Sequence, residues 1–143
     1  MPRLIQRIEV ETLADHQTVA ILDEGGALPF PSFARWLDLA DNSINIMTLA
    51  NEVDVPLVVE VWDAEPPPAT ATWSSIEGGR VRFETGRIGI NFLVAGEDTV
   101  EFDLAPGIHG VRVHAAGRPD LEAEPLAEEP ERYLVQIWPA PRP

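Results

Sequence analysis

Gly110-Val111-Arg112-Val113-His114-Ala115 decides the fold. Val111, Val113 and Ala115 share one parity and read as inward, with Arg112 and His114 outward. A period of two is the signature of a strand with one buried face. The same alternation recurs in both directions from this stretch. Downstream, Arg132 to Trp138 sets Tyr133, Val135 and Ile137 opposite Leu134, Gln136 and Trp138. Upstream, Arg80 to Glu84 turns Val81 and Phe83 inward, and Leu57 to Asp63 sets Leu57, Val59 and Val61 against Val58, Glu60 and Trp62. Ile88 to Val94 and Thr99 to Leu104 flank a turn at Ala95-Gly96-Glu97-Asp98. Thr70 to Ile76 forms a further candidate carrying Trp73, and Glu77-Gly78-Gly79 reads as a hairpin loop. Towards the N-terminus, Leu4 to Thr12, Gln17 to Asp23 and Ser43 to Leu49 complete the set. One segment changes period: Phe33, Trp36, Leu37 and Ala40 follow 3-4-7 spacing behind Ser32, which predicts a short helix from Ser32 to Ala40. The expected fold is all-β, a two-layer antiparallel β-sandwich with one short helix, forming one domain over residues 1–143. A small closed barrel is the runner-up.

Charge narrows the function classes. The 143 residues hold 24 Asp and Glu against 10 basic residues, all Arg, for a formal net charge of -14. Such a surface repels phosphate backbones and anionic lipid and steers basic partners towards it, which excludes nucleic acid and membrane as expected partners. Hydrophobic residues make up 45% of the chain, too many for an acidic disordered segment. The absence of Cys removes both a disulfide framework and a thiolate nucleophile. Arg3 and Arg7 are followed by no apolar core of a signal peptide, so the expected location is cytoplasmic. The Arg-only basic set and the many Ala and Pro fit a GC-rich bacterial genome.

No residue set reads as a catalytic centre. His109 and His114 are five apart, on opposite faces of a straight strand, so they are poorly placed to chelate a metal. Each histidine, His16 included, reads as a surface or turn residue. Glu97, Asp98, Glu101 and Asp103 cluster near a turn but match no calcium-loop spacing and read as a solvated hairpin end. Asp63 and Glu65 beside Trp62 and Trp73 invite an acid-base reading, yet paired carboxylates are common among 24 acids. The expectation is therefore no enzyme, no cofactor and no metal. Trp36 reads as core, and burial is the default for Trp62 and Trp138 in their apolar strands. If Trp62, Trp73 and Trp138 instead form an open platform, the alternative is a small-molecule or carbohydrate-binding module.

Several features in order resemble the competence protein J family. They are an N-terminal strand pair centred on Asp15-His16-Gln17-Thr18-Val19, a short helix with Trp36, Trp73 before a hairpin, the Pro106-Gly107 turn into Val111-Arg112-Val113, and the closing Tyr133-Leu134-Val135-Gln136-Ile137-Trp138-Pro139. The resemblance covers roughly residues 4 to 139. It implies a small β-rich protein without catalytic activity, and its founding member is described as an inhibitor partnering a DNA-entry nuclease. Resemblance and charge together give an acidic protein-binding domain, an inhibitor or immunity-type partner of a basic nuclease. Its expected contacts are Glu122, Glu124, Glu128, Glu129 and Glu131, with Glu97, Asp98, Glu101 and Asp103 as a second patch.

Overall fold

In a computed structural model the chain is described over residues 1–14, 17–26, 35–50, 53–69, 73–90, 100–118, 121 and 130–140. Among these residues are ten strands: β1 (Leu4–Leu13), β2 (Thr18–Asp23), β3 (Leu37–Ala40), β4 (Ser43–Met47), β5 (Asp54–Trp62), β6 (Ser75–Phe83), β7 (Arg87–Ile90), β8 (Val100–Asp103), β9 (Gly107–Ala116) and β10 (Arg132–Pro139). They build a front sheet, ordered β1-β5-β10-β9-β6, and a back sheet, ordered β3-β4-β2-β7-β8. The inward parities meet in one core. Val55, Leu57, Val59, Val111, Val113, Val135 and Ile137 of the front sheet pack with Val19, Ile21, Ile44, Ile46, Ile88 and Ile90 of the back. Each such side chain contributes roughly 1.5–3 kcal/mol by leaving water. Trp36 closes one end of the core, stacked on Tyr133 with ring centroids 6.2 Å apart.

The sandwich is as expected, but the helix is not. No helix occurs among the described residues, and Leu37–Ala40 is a strand paired antiparallel with β4, Ala40 opposite Ser43. The cause lies in Asp41-Asn42. Asn42 adopts a φ of 64°, a left-handed value Asn tolerates, and it turns the chain straight back. Asn42 also clamps β6: its N–H donates to the Arg82 carbonyl at 2.8 Å and its Oδ1 accepts from Glu84 N–H at 2.8 Å. The 3-4-7 spacing across Trp36, Leu37 and Ala40 was fortuitous, and the Phe33 and Ser32 positions lie outside the described residues. The sheets are not wholly antiparallel either, because β10 pairs parallel with β5.

Gly78 and Gly79 are not a hairpin loop. β6 runs straight through them, with Gly78 opposite Arg112 and Gly79 opposite Val111. A Cβ on Gly78 would collide with the Val111 carbonyl, so the glycine permits close strand approach.

Candidate functional site

The outward face of the front sheet carries a row of side chains across all five strands: Arg7, Glu60, Gln136, Arg112 and Gly78 occupy successive register positions. Arg7 Nη1 donates to Glu60 Oε2 at 2.5 Å, and Glu60 Oε1 accepts from Trp62 Nε1 at 3.2 Å and Gln136 Nε2 at 3.3 Å. Arg112 continues the row through Gln136 Oε1 at 3.2 Å, the Pro66 carbonyl at 2.8 Å and Glu65 Oε2 at 2.9 Å. Its guanidinium lies 5.0 Å from the Trp138 ring centroid. Trp138 in turn lies flat over Gly110, where any Cβ would overlap its indole. A cleft of about 260 Å³ opens between Trp138, Arg112, Gly78 and Ile76.

Residues 66–69 and Trp73 lie over this face and bury His114, which is 0% exposed. His109, on the inward parity beside Val111, is buried against Phe83 with ring centroids 5.5 Å apart. Neither is the surface residue expected from sequence. His114 Nδ1–H donates to the Leu134 carbonyl at 3.3 Å, Nε2 accepts from Ala69 N–H at 3.2 Å, and Trp73 packs on the ring at 5.8 Å. Those roles fix a neutral tautomer. Burial holds both imidazoles below the ordinary 6.5, outweighing the carbonyl partners that raise them. Trp138 is 8% exposed and Trp73 lies under Arg132 at 4.2 Å, so these two rings do not form an open platform.

Two of the nine expected contact acids lie together. Glu101 and Asp103 are exposed on the same face of the edge strand β8. With Glu24 and Arg87 they rim a cavity of about 390 Å³, where Arg87 and Glu24 form a 3.5 Å ion pair. Exposed Glu9 and Glu11 on β1 belong to the same side of the sandwich, because Gln6 Nε2 donates to the Asp103 carbonyl at 3.0 Å. Glu131 is placed differently. It accepts from Leu49 N–H at 2.9 Å, Ala50 N–H at 2.8 Å and the Tyr133 hydroxyl, which itself accepts from Arg118 at 3.2 Å. Glu131 thereby latches β10 of the front sheet to the segment leaving β4 of the back. Burial foremost, then the Glu131 carboxylate, pushes the Tyr133 hydroxyl far above its usual range. Glu97, Asp98, Glu122, Glu124, Glu128 and Glu129 lie outside the described residues, as does His16. Asp63 and Glu65 do not act as a pair: Asp63 accepts from Arg3 N–H at 2.6 Å, and Glu65 holds Arg112. Among the described residues no three His, Asp or Glu side chains converge to hold a metal ion.

One carboxylate escaped the sequence reading. Asp23 is 1% exposed, ends β2 and accepts from Gly25 N–H at 2.7 Å, Thr85 N–H at 3.1 Å, Thr85 Oγ1–H at 2.7 Å and Gly86 N–H at 2.8 Å. Burial alone would raise its pKa, but these donors together lower it below 3.8. Asp23 fixes the turns that carry Glu24 and Arg87 to the cavity rim. The Asp-x-Gly spacing at Asp23-Glu24-Gly25 was the available signal, since an Asp side chain readily bonds the backbone two residues on.

The protein matches no family model and no curated protein sequence. Its solved structural neighbours are more informative. The structure of ComJ, inhibitor of the DNA degrading activity of NucA, from Bacillus subtilis, superimposes with a TM-score of 0.68 at 10% identity. The likeness is to ComJ from end to end. It covers 98% of this chain and 99% of that one. A second structure, described as Crocagin biosynthetic gene J, gives a TM-score of 0.57 at 12% identity over 97% of this chain and 98% of that one. At such identities the likeness is one of fold, and the fold is the one implied by the competence protein J resemblance. Among the described residues no helix is long and apolar enough to cross a membrane.

Proposed function

We propose that this chain acts as one non-catalytic, acidic protein-binding domain that inhibits, or confers immunity to, a basic nuclease. The observation that carries this reading is the end-to-end fold likeness to ComJ, an inhibitor of the DNA degrading activity of NucA. The net charge of -14 supports it, because a nuclease cleft built for polyanion attracts an acidic surface and is occupied by it. The docking side is the β1/β8 side, with Glu101 and Asp103 exposed beside Glu24. Glu97, Asp98, Glu122, Glu124, Glu128 and Glu129 are proposed as further contacts. Glu131 belongs to the proposal only as the residue that anchors one end of that acidic segment.

The test is affinity capture by the immobilised chain from lysate and medium of its source organism, at about 50 mM and about 500 mM salt, followed by a DNA-degradation assay. A basic nuclease retained at low salt, released at high salt and inhibited by the pure chain is the expected result. Capture of a partner with no nuclease activity would remove the nuclease and leave the binding domain. An empty capture at both salts would defeat the reading.

A further inference from the structure

Among the described residues the sandwich has four edge strands, and they are not equally protected. β3 and β8 are four residues long, and β1 is tied to β8 through Gln6. β6 is nine residues long and ends the front sheet. Long edge strands are ready templates for another extended chain. The Arg82 carbonyl accepts Asn42 N–H from outside the sheet, which fixes the direction of the backbone. In an antiparallel ladder alternate residues point their N–H and C=O groups the same way, so those of Arg80, Gly78 and Ile76 also face away from β9. Among the described residues nothing pairs with them. Asn42 blocks the edge at Arg82 and β3 lies beside β6 on its inward side, with Leu39 where a Gly79 Cβ would point, which leaves open the outward main-chain groups of Ile76, Gly78 and Arg80.

The side chains beside this edge specify what would fit. Arg80 and Arg82 are exposed, and no described carboxylate lies within ion-pair distance of either, although the chain holds 24 acids. By contrast Arg7, Arg35, Arg87 and Arg112 all have carboxylate partners. Both unpaired arginines project from the outward face, the parity opposite to buried Val81 and Phe83. Gly78, on that same face, has no side chain, so an incoming residue opposite it reaches across into the cleft against Arg112 and Trp138. Ile76, 42% exposed, forms the apolar wall at the far end. Hence a chain laid along β6 meets, on alternate residues, the Arg112 cleft and then the Arg80 guanidinium.

We propose that the β6 edge binds an extended protein segment as an added strand, and that this segment carries acidic side chains at alternate positions. Main-chain bonds to Ile76, Gly78 and Arg80 hold it, and the unpaired Arg80 and Arg82 select for acids at the alternate positions that face them. This surface is separate from the acidic β1/β8 side and does not depend on the nuclease reading.

The probe is a capped ten-residue peptide of alternating Glu and Val, titrated into the full chain and followed by calorimetry and by tryptophan fluorescence. Micromolar binding is expected. A Lys-Val peptide of the same length should bind at least about tenfold more weakly, and Arg80→Glu/Arg82→Glu should weaken the Glu-Val peptide about as much. Of two forms N-methylated on alternate residues, one should lose binding and the other keep it, since one set of amides faces β6 and the other faces solvent. Arg80→Pro should also abolish binding while leaving the β9 ladder whole, because the amide it removes points outward. If Arg80→Pro does not fold, the methylated peptides decide alone, on the unaltered protein. No binding up to about 1 mM, equal binding of both methylated forms, or equal binding of the Lys-Val peptide each overturns the proposal. So does a free chain that sediments as a dimer and becomes monomeric with Arg80→Pro, which would give the edge to a second copy.

Discussion

Asp23→Ala tests how the acidic side is held in place. The carboxylate receives four hydrogen bonds, three from backbone N–H groups of two separate turns. Gly25 and Thr85 are exposed and can recover water once it is gone, at about 1 kcal/mol together. Gly86 is buried, takes a φ of 78° and lies against the Leu104 carbonyl, so its N–H is left without a partner at about 1–3 kcal/mol. The expected loss is about 3 kcal/mol at neutral pH, or roughly 10 °C in Tm for a chain of this length. Thr85→Val, which removes only the hydroxyl bond, should cost about 1 kcal/mol. Between the lowered folded pKa and 3.8 the folded protein binds fewer protons than the unfolded chain. The stabilisation is therefore full above pH about 4 and fades as the pH falls through the folded value. Denaturant unfolding of wild type and Asp23→Ala from pH 7 down to about 2.5 measures the gap directly. A gap below about 1 kcal/mol at pH 7, or one that stays undiminished at the lowest pH, would refute the reasoning.

Other outcomes follow from the same geometry. Gly110→Ala forces Trp138 off the sheet, costs about 1–3 kcal/mol by overpacking and shifts the tryptophan emission to the red; unchanged emission would count against the stacked arrangement. Burial keeps the His109 and His114 imidazoles below the ordinary 6.5, so stability should fall as pH drops from 7.5 to 5.5, and His109→Gln/His114→Gln should flatten that slope in chemical unfolding. Glu101→Gln/Asp103→Asn should slow association with a basic partner several-fold at low salt, with little change in dissociation, as read by stopped-flow at two salt concentrations.

The fold was legible wherever a period of two runs through a strand. Val111 to Ala115, Tyr133 to Ile137 and Val81 to Phe83 announce their parity, and the structure keeps it. Leu37 to Ala40 failed because four residues hold too little period to separate strand from helix. The Asp41-Asn42 turn, a stronger signal, follows them immediately. Gly78-Gly79 failed for a different reason: a glycine pair marks a turn or a close backbone approach, and only the neighbour β9 decides which. His114 sits correctly on the outward parity yet is buried, because a segment some 45 positions earlier in the chain covers that face. The row from Arg7 to Gly78 could not be read at all. It depends on a register joining four strand pairs, one of them parallel, and no local pattern encodes that.

The two surfaces lie at opposite edges of the sandwich, and this makes their independence testable. β1 and β8 meet on one side through Gln6 and Asp103, while β6 meets the β3–β4 turn on the other through Asn42. Substitutions that share no contacts add, within about 0.3–0.5 kcal/mol. Arg80→Glu/Arg82→Glu should therefore leave capture of a basic partner intact, or strengthen it slightly through the added negative charge. Glu101→Gln/Asp103→Asn should in turn leave the affinity for the Glu-Val peptide within about twofold. A ternary complex of chain, basic partner and peptide is the expected product when all three are mixed and run on a sizing column. If the peptide instead displaces the partner, the two sites share an edge, and the assignment of Glu101 and Asp103 to the docking side is wrong.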